Sequence, residues 1–159
     1  MQAGKAYNIR PTGPSDIRRV EAGILNWGVD MTLENNVYEV GLDYLVDAGK
    51  RVDYIGRAAL ERILTQGVSR KLAGIAIEGP PIEMNAVPWA VAANGSGAGR
   101  VTSALYSPRL KRNIGYAMMP VAHATLGTAL TVIIPGVGAR KATVVSRPFI
   151  DPNKDIPKS

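Results

Sequence analysis

From Leu72 onward the chain falls into short apolar runs that restart about every ten residues, each closed by a Gly- or Pro-bearing turn. Leu72 to Glu78 (LAGIAIE) alternates as a strand does, and Gly79-Pro80-Pro81 breaks it. Further strands are expected over Val87–Ala92, Gly99–Leu105, Asn113–Met119, Ala129–Ile134 and Ala142–Ser146. That rhythm restricts the region to an antiparallel sheet or a small barrel.

The preceding part reads differently. Pro11-Thr12-Gly13-Pro14 is a turn, and Ser15 or Asp16 can cap a helix by accepting from a free first-turn N–H. Ile17, Val20, Glu21 and Ile24 follow at helical spacing, and Gly23 limits the run. Val37 to Val46 alternates partially, which suits a strand or an extended segment. Asp47 to Lys50 reads as a turn. Ile55 to Thr65 has the clearest helical pattern, with Ile55, Ala59, Leu60, Ile63 and Leu64 on one face and Gly67 as its stop. The composition changes between Gln66 and Arg70. The fold class is therefore α+β: residues 1–66 form a partial α/β segment and residues 67–159 a small antiparallel β-barrel domain.

Composition narrows the functional classes. Cysteine is absent, which excludes disulfides and thiolate metal sites. No apolar run approaches ~20 residues, so no membrane-spanning helix is expected, and MQAGKAYNIRPTGPSD lacks the apolar core of a signal peptide. The expected compartment is the cytoplasm. The formal charge is +6, but the cations lie in scattered doublets and aromatics make up only 6%. That pattern argues against nucleic-acid binding and for a solvated surface or a pocket for a small polyanion.

Individual motifs give little chemistry. Gly95-Ser-Gly97-Ala-Gly99 resembles a phosphate loop, but a strand-like run follows where a helix N-terminus would be needed, so a hairpin tip is expected. His123 is the single histidine, sits in an inter-strand linker, and has no cluster to make a metal site. Asp16, Glu21 and Asp30 could pair for acid–base work, yet capping and local hydrogen bonding are the expected roles. Arg109, Lys111 and Arg112 flank the Ser107-Pro108 turn as a solvated rim that could also meet a partner or an anionic tail. No catalytic or metal-binding residue is expected.

The order of the motifs carries more. DIRRVEAGILNWGVDMT resembles a helix and loop patterned R-x-E-A-G and ending in Asp; NNVYEVGLDYLVD resembles an N-P-x-E-x-G-L-x-W block. YIGRAAL, KLAGIAIEG, GRVTSALYSPRLKRNIGYAMM and RPFIDP complete a collinear set from Asp16 to Pro152. Together they resemble the C-terminal portion of the glycine-cleavage T-protein (aminomethyltransferase) superfamily. IRRVEAGIL, EVGLDYLVD, GVSRK and VTSALYSPRLKRNI are most similar to its dimethylsulfoniopropionate demethylase branch.

The resemblance implies a tetrahydrofolate-dependent methyltransferase or demethylase, in which a methyl passes from a sulfonium to the folate. It also implies that the family's N-terminal half, with the acid near folate N5 and most of the folate pocket, precedes the matched stretch. The chain alone is then expected not to turn over. Its expected partners are that half, as in a split enzyme, or a second copy in a homodimer. Tetrahydrofolate is the implied cofactor, with Tyr44 (the family's pocket Trp) and Lys154 (a polar or basic position after P-F-x-D-P) as implied binding residues. Ser15 stands where the T-protein branch has a folate-contacting Arg. The alternatives are an interaction or scaffold module that kept the barrel, or an aminomethyltransferase fragment.

Overall fold

A computed structural model describes residues 2–9, 13–47, 49, 52–153 and 155–156. Strands β1 (Arg70–Ile77), β2 (Trp89–Ala93), β3 (Ser96–Ser107), β4 (Arg112–Pro120), β5 (Ala129–Ile134) and β6 (Gly138–Val145) close into an antiparallel barrel. Its order is β1-β4-β3-β2-β5-β6. Each of the six strands expected from Leu72 onward is present. β3 begins three residues earlier than its apolar run suggests. Asn94 (φ 51) and Gly95 (φ 79) form the two-residue turn that joins β2 to β3, because left-handed torsions at both central positions match the strand twist. The glycine-rich motif is thus a hairpin tip. β6 likewise begins at Gly138, since Ile134 pairs with Gly138 across a tight turn. The polar Arg140-Lys141 pair conceals that start in the sequence.

Helix α1 (Asp16–Glu21) is capped as expected: the Ser15 hydroxyl accepts from the Arg18 N–H. Helix α2 (Arg57–Gln66) ends where the Gly67 N–H reaches the Ile63 carbonyl. None of its described side chains is fully buried, and Ile55 lies outside it in solvent.

Val37–Val46 is not a strand. The Asn36 side-chain oxygen accepts from the Tyr38 and Glu39 N–H groups, both at 3.0 Å. The Leu42 N–H bonds to the Val37 carbonyl, and a 3-10 turn covers Asp43–Leu45. These local bonds take up donors that a ladder would need. Gly41 (φ 69) allows the bend, which no β-branched residue would adopt readily.

Period-two alternation divides the barrel's side chains between two cores. Ile75, Val91, Val101, Ala117, Val132 and Val144 fill the interior. Leu72, Leu105, Ile114, Tyr116 and Met118 point outward from β1, β3 and β4. There they pack against Val20 of α1, Val40 and Phe149. The N-terminal segment thus covers one outer face of the barrel. Val40 and Leu42 pack on that face.

Candidate functional site: a cleft held by a buried polar clasp

Two carboxylates fix the N-terminal segment to β3. Asp30, 2% exposed, accepts from Thr102 Oγ1 at 2.7 Å and from Ser103 Oγ at 2.6 Å. It also accepts from the Asn26 N–H and from Arg19 Nη1, both at 2.9 Å. Glu21 Oε1 accepts from Ser107 Oγ at 2.5 Å, and the Glu21 carbonyl accepts from the N–H groups of Phe149 and Ile150. Local capping was expected of these acids; Glu21 and Asp30 instead reach across the fold. A buried carboxylate needs several donors, and a distant strand supplies them. Asp16 does act locally, pairing with Arg19 at 2.8 Å. Burial pulls the Arg19 pKa down, but Asp16 and Asp30 outweigh it and hold the guanidinium above its usual range.

Arg147 closes one wall. Its guanidinium lies 5.8 Å from the centroid of the Tyr116 ring and donates to the Val40 carbonyl. Gly41 is packed so closely that a side-chain Cβ there would collide with this guanidinium. Burial lowers the Arg147 pKa, opposed by Tyr116, Asp30, Asp43 and Tyr44. Tyr116 stacks on Phe149 with ring centroids 5.9 Å apart and donates to the Val20 carbonyl at 2.8 Å.

These contacts border an open cleft of about 1070 Å³ between the N-terminal segment, the β1–β6 side of the barrel and the chain after β6. Its apolar wall includes Leu25, Met31, Leu42 and Leu72, with Tyr44 and Arg147 beside them. Arg18 and Arg109 also line it. The volume suits a ligand the size of a cofactor, and an apolar wall with a few polar groups suits a ring with a charged appendage.

The structure places Tyr44 in the cleft lining and not in the core: it is 72% exposed on the 3-10 turn. Lys154 lies outside the described residues. Ser15, as a cap, is committed to α1. His123 is half-buried in a 3-10 turn next to Ala124, which lines the cleft. Among the described residues no group of three or more His, Cys, Asp or Glu could hold a metal ion. Sequence reasoning missed Arg147 and Arg18. The RPFIDP motif was the available signal for Arg147, whereas Arg18 has no signal beyond its place beside Arg19.

Comparison with known proteins agrees with this architecture. Residues 70–151 match the family model of the glycine cleavage T-protein C-terminal barrel domain, and the chain belongs to that family. It is 40% identical over 151 residues to an aminomethyltransferase of Symbiobacterium thermophilum, covering 94% of this chain and 40% of that protein. It is 38% identical over 144 residues to dimethylsulfoniopropionate demethylase DmdA of Ruegeria pomeroyi, covering 89% and 38%. The crystal structure of glycine cleavage system aminomethyltransferase T from Bartonella henselae superposes with a TM-score of 0.76 at 26% identity, covering 85% of this chain and 37% of that one. The chain thus spans about two fifths of the length of the curated relatives it matches. No helix among the described residues is long and apolar enough to cross a membrane.

Proposed function

We propose that this chain forms the C-terminal barrel and one wall of the folate site of a tetrahydrofolate-dependent methyltransferase. The observation that carries the reading is the cleft, where an aromatic ring, an apolar wall and cations come together in a domain of this family. Those residues fit a reduced folate: Tyr44 can face its rings, Leu42 and Leu72 can exclude water from them, and a guanidinium can meet a carboxylate. A bound tetrahydrofolate supplies a nucleophilic N5 amine as one-carbon acceptor. Arg147, fixed by Val40 and Tyr116, keeps the wall rigid, and Glu21 and Asp30 hold that wall on the barrel.

The donor in this reading is a sulfonium such as dimethylsulfoniopropionate. Its support is the VTSALYSPRLKRNI block and the DmdA relative. The second reading, aminomethyl transfer, rests on relatives named aminomethyltransferase at 40–43% identity. Residues 1–66 and 67–159 serve as two units, the first facing the rest of the family's fold and the second forming the barrel. Exposed Ile24, Trp27 and Leu33 are the surface available to that remainder or to a second copy. The interaction-module alternative predicts no folate affinity.

Calorimetric titration with tetrahydrofolate tests the reading. Binding that Tyr44→Ala weakens by about 1–2 kcal/mol, the scale of lost aromatic burial and stacking, supports it. Absence of binding by a folded chain overturns it.

A further inference from the structure

Among the asparagines of this chain, Asn94 alone precedes a glycine. The fold sets that pair at the tip of the β2–β3 hairpin, where Asn94 and Gly95 are both exposed. Among the described residues the Asn94 carboxamide has no hydrogen-bond partner. The Gly95 N–H lies outside the ladder, whose last pair is Ala93 with Ser96. Nothing packs against Gly95 either, since a Cβ built there would stand in open space. A free carboxamide therefore sits beside a free and unshielded backbone nitrogen.

The other described asparagines are held or shielded. Asn113 is buried; it donates to the carbonyls of Ile77, Gly79 and Pro80 and accepts from the Ile82 N–H. Asn85 donates to the carbonyls of Val87 and Thr102 and accepts from the Ala104 N–H at 2.6 Å. The Asn36 side chain is bound to two N–H groups, as described above. Asn8 and Asn26 are exposed, but the side chains of Ile9 and Trp27 crowd the nitrogen that follows them.

The tip can also open without disturbing the barrel. β5 pairs with β2 only as far as Ala92, so Ala93 to Ser96 project beyond it. A bulge between Val91 and Ala92, where Ala98 is the extra residue, separates the last two β2–β3 pairs from the rest of the ladder. Gly97 and Gly99 flank that bulge. Releasing Ala93 from Ser96 frees the Asn94 torsions and leaves the pairs from Trp89 to Val91 in place, which is a local opening and not unfolding.

We infer that Asn94 is a site of spontaneous covalent modification, at which its carboxamide is converted through a cyclic imide to aspartate and isoaspartate. The Gly95 nitrogen gives up its proton to hydroxide or water and attacks Asn94 Cγ. The Cγ–Nδ2 bond breaks and ammonia leaves. One water then opens the imide at either carbonyl. Opening at the backbone carbonyl gives isoaspartate, and opening at the side-chain carbonyl gives aspartate. Either product removes one unit of net positive charge from the chain. Aspartate can keep the left-handed torsion that the turn needs. Isoaspartate adds a methylene to the main chain and breaks the two-residue connection that matches the strand twist. The inference is independent of the folate reading.

The test incubates the folded chain at mildly acidic and mildly alkaline pH and maps its peptides by mass spectrometry. Aspartate and isoaspartate should both accumulate at position 94, faster at the higher pH because the attacking nitrogen must lose a proton. Conversion there should be at least about tenfold faster than at Asn85 or Asn113, whose release needs wider opening. Asn94→Gly, which keeps a residue suited to the turn, should remain folded and lose the change. An intact Asn94, after a time in which a short peptide of the same Ala92–Ala98 sequence has converted, overturns the inference. Aspartate without isoaspartate overturns the cyclic step. Equal rates at Asn94, Asn85 and Asn113 overturn the assignment of the reactivity to the hairpin tip.

Discussion

Asp30 Oδ1 accepts from Ser103 Oγ at 2.6 Å across 73 residues of chain. The same carboxylate holds Thr102, Arg19 and the Asn26 N–H. One buried charge therefore joins α1, the loop after it and the bulged stretch of β3. Asp30→Ala would leave two buried hydroxyls and Arg19 Nη1 without this acceptor, with Asp16 still holding Arg19 Nε. Urea unfolding should show a loss of about 3–5 kcal/mol, the usual consequence of removing one partner of a buried pair. Ser103→Ala, which removes one donor from an acceptor with three others and one acceptor from Arg19 Nη2, should lose less, about 1–2 kcal/mol. Equal losses for the two variants would refute a hub role for Asp30.

Glu39 gives the fold an acid-sensitive contact. Burial raises its pKa, but hydrogen bonds from Arg70 and Asn35, the Arg70 charge and the Asn36 N–H outweigh burial and hold it below the ordinary value. Arg70 Nε lies 3.0 Å from Glu39 Oε1. Because the folded pKa is depressed, the contact's stabilisation is complete above the unfolded carboxyl's pKa of about 4.3 and is lost as pH falls through the folded value. Unfolding free energies measured on both sides of that window should fall less steeply for Glu39→Gln than for the parent chain. Parallel slopes would refute the assignment.

Tyr116 should mark the alkaline limit. Burial pushes its phenol well above 10.0, Asp30 adds to this, and Arg147 and Arg19 oppose it. A raised folded pKa means stability that is complete below the unfolded phenol's value and is lost as pH rises through the folded one. Ultraviolet titration of the chain should show a last step, the ionisation of Tyr116, that appears only on unfolding. Tyr116→Phe should remove that last step and lose about 0.5–1.5 kcal/mol with the bond to Val20.

The barrel was legible because its strands are short, regularly spaced and closed by turn chemistry that works locally. Asn94-Gly95 and the stop at Gly67 need nothing from the rest of the fold. The N-terminal segment was less legible because distant partners decide it. Val37–Val46 alternates like a strand, yet Asn36 and Gly41 bend it so that Val40 meets Tyr116 and Leu72. Glu21 and Asp30 looked like local acids because their donors lie on β3. Tyr44 reached the cleft through a family likeness, since nothing in VYEVGLDYLVD distinguishes a ring in a cleft from one in a core. Arg147 was read only as part of a closing motif, and its function depends on a carbonyl 107 residues away.

Gly41→Ala tests that carbonyl contact. The added Cβ would face a left-handed torsion at φ 69 and collide with the Arg147 guanidinium. The two effects together should destabilise by about 1–3 kcal/mol and loosen the wall under Tyr44. Arg147→Ala in the same background should recover part of the loss, because it removes the collision but leaves the torsion. A double-mutant cycle showing simple additivity would refute the coupling.

The exposed apolar side chains of the N-terminal segment set a final expectation. Trp27 and Ile24 are 60% and 59% exposed, and Leu33 is 92% exposed. Val29 and Leu45 are exposed as well. Apolar surface concentrated in one segment is uncommon on proteins that stay monomeric. Val40 and Leu42 do not add to it, since the barrel covers them. On the 159-residue chain by itself, a second copy can offer the same surface, and two-fold pairing is the commonest closed solution. Light scattering at micromolar concentration should therefore report a dimer, and dilution should dissociate it. Trp27→Glu combined with Leu33→Glu should give a monomer with unchanged far-ultraviolet circular dichroism, because both side chains lie outside the two cores. A parent chain that is monomeric across the whole concentration range would refute the pairing. A dimer that persists in the double variant would move the contact to another face, such as the outer surface of β5 around exposed Ile133.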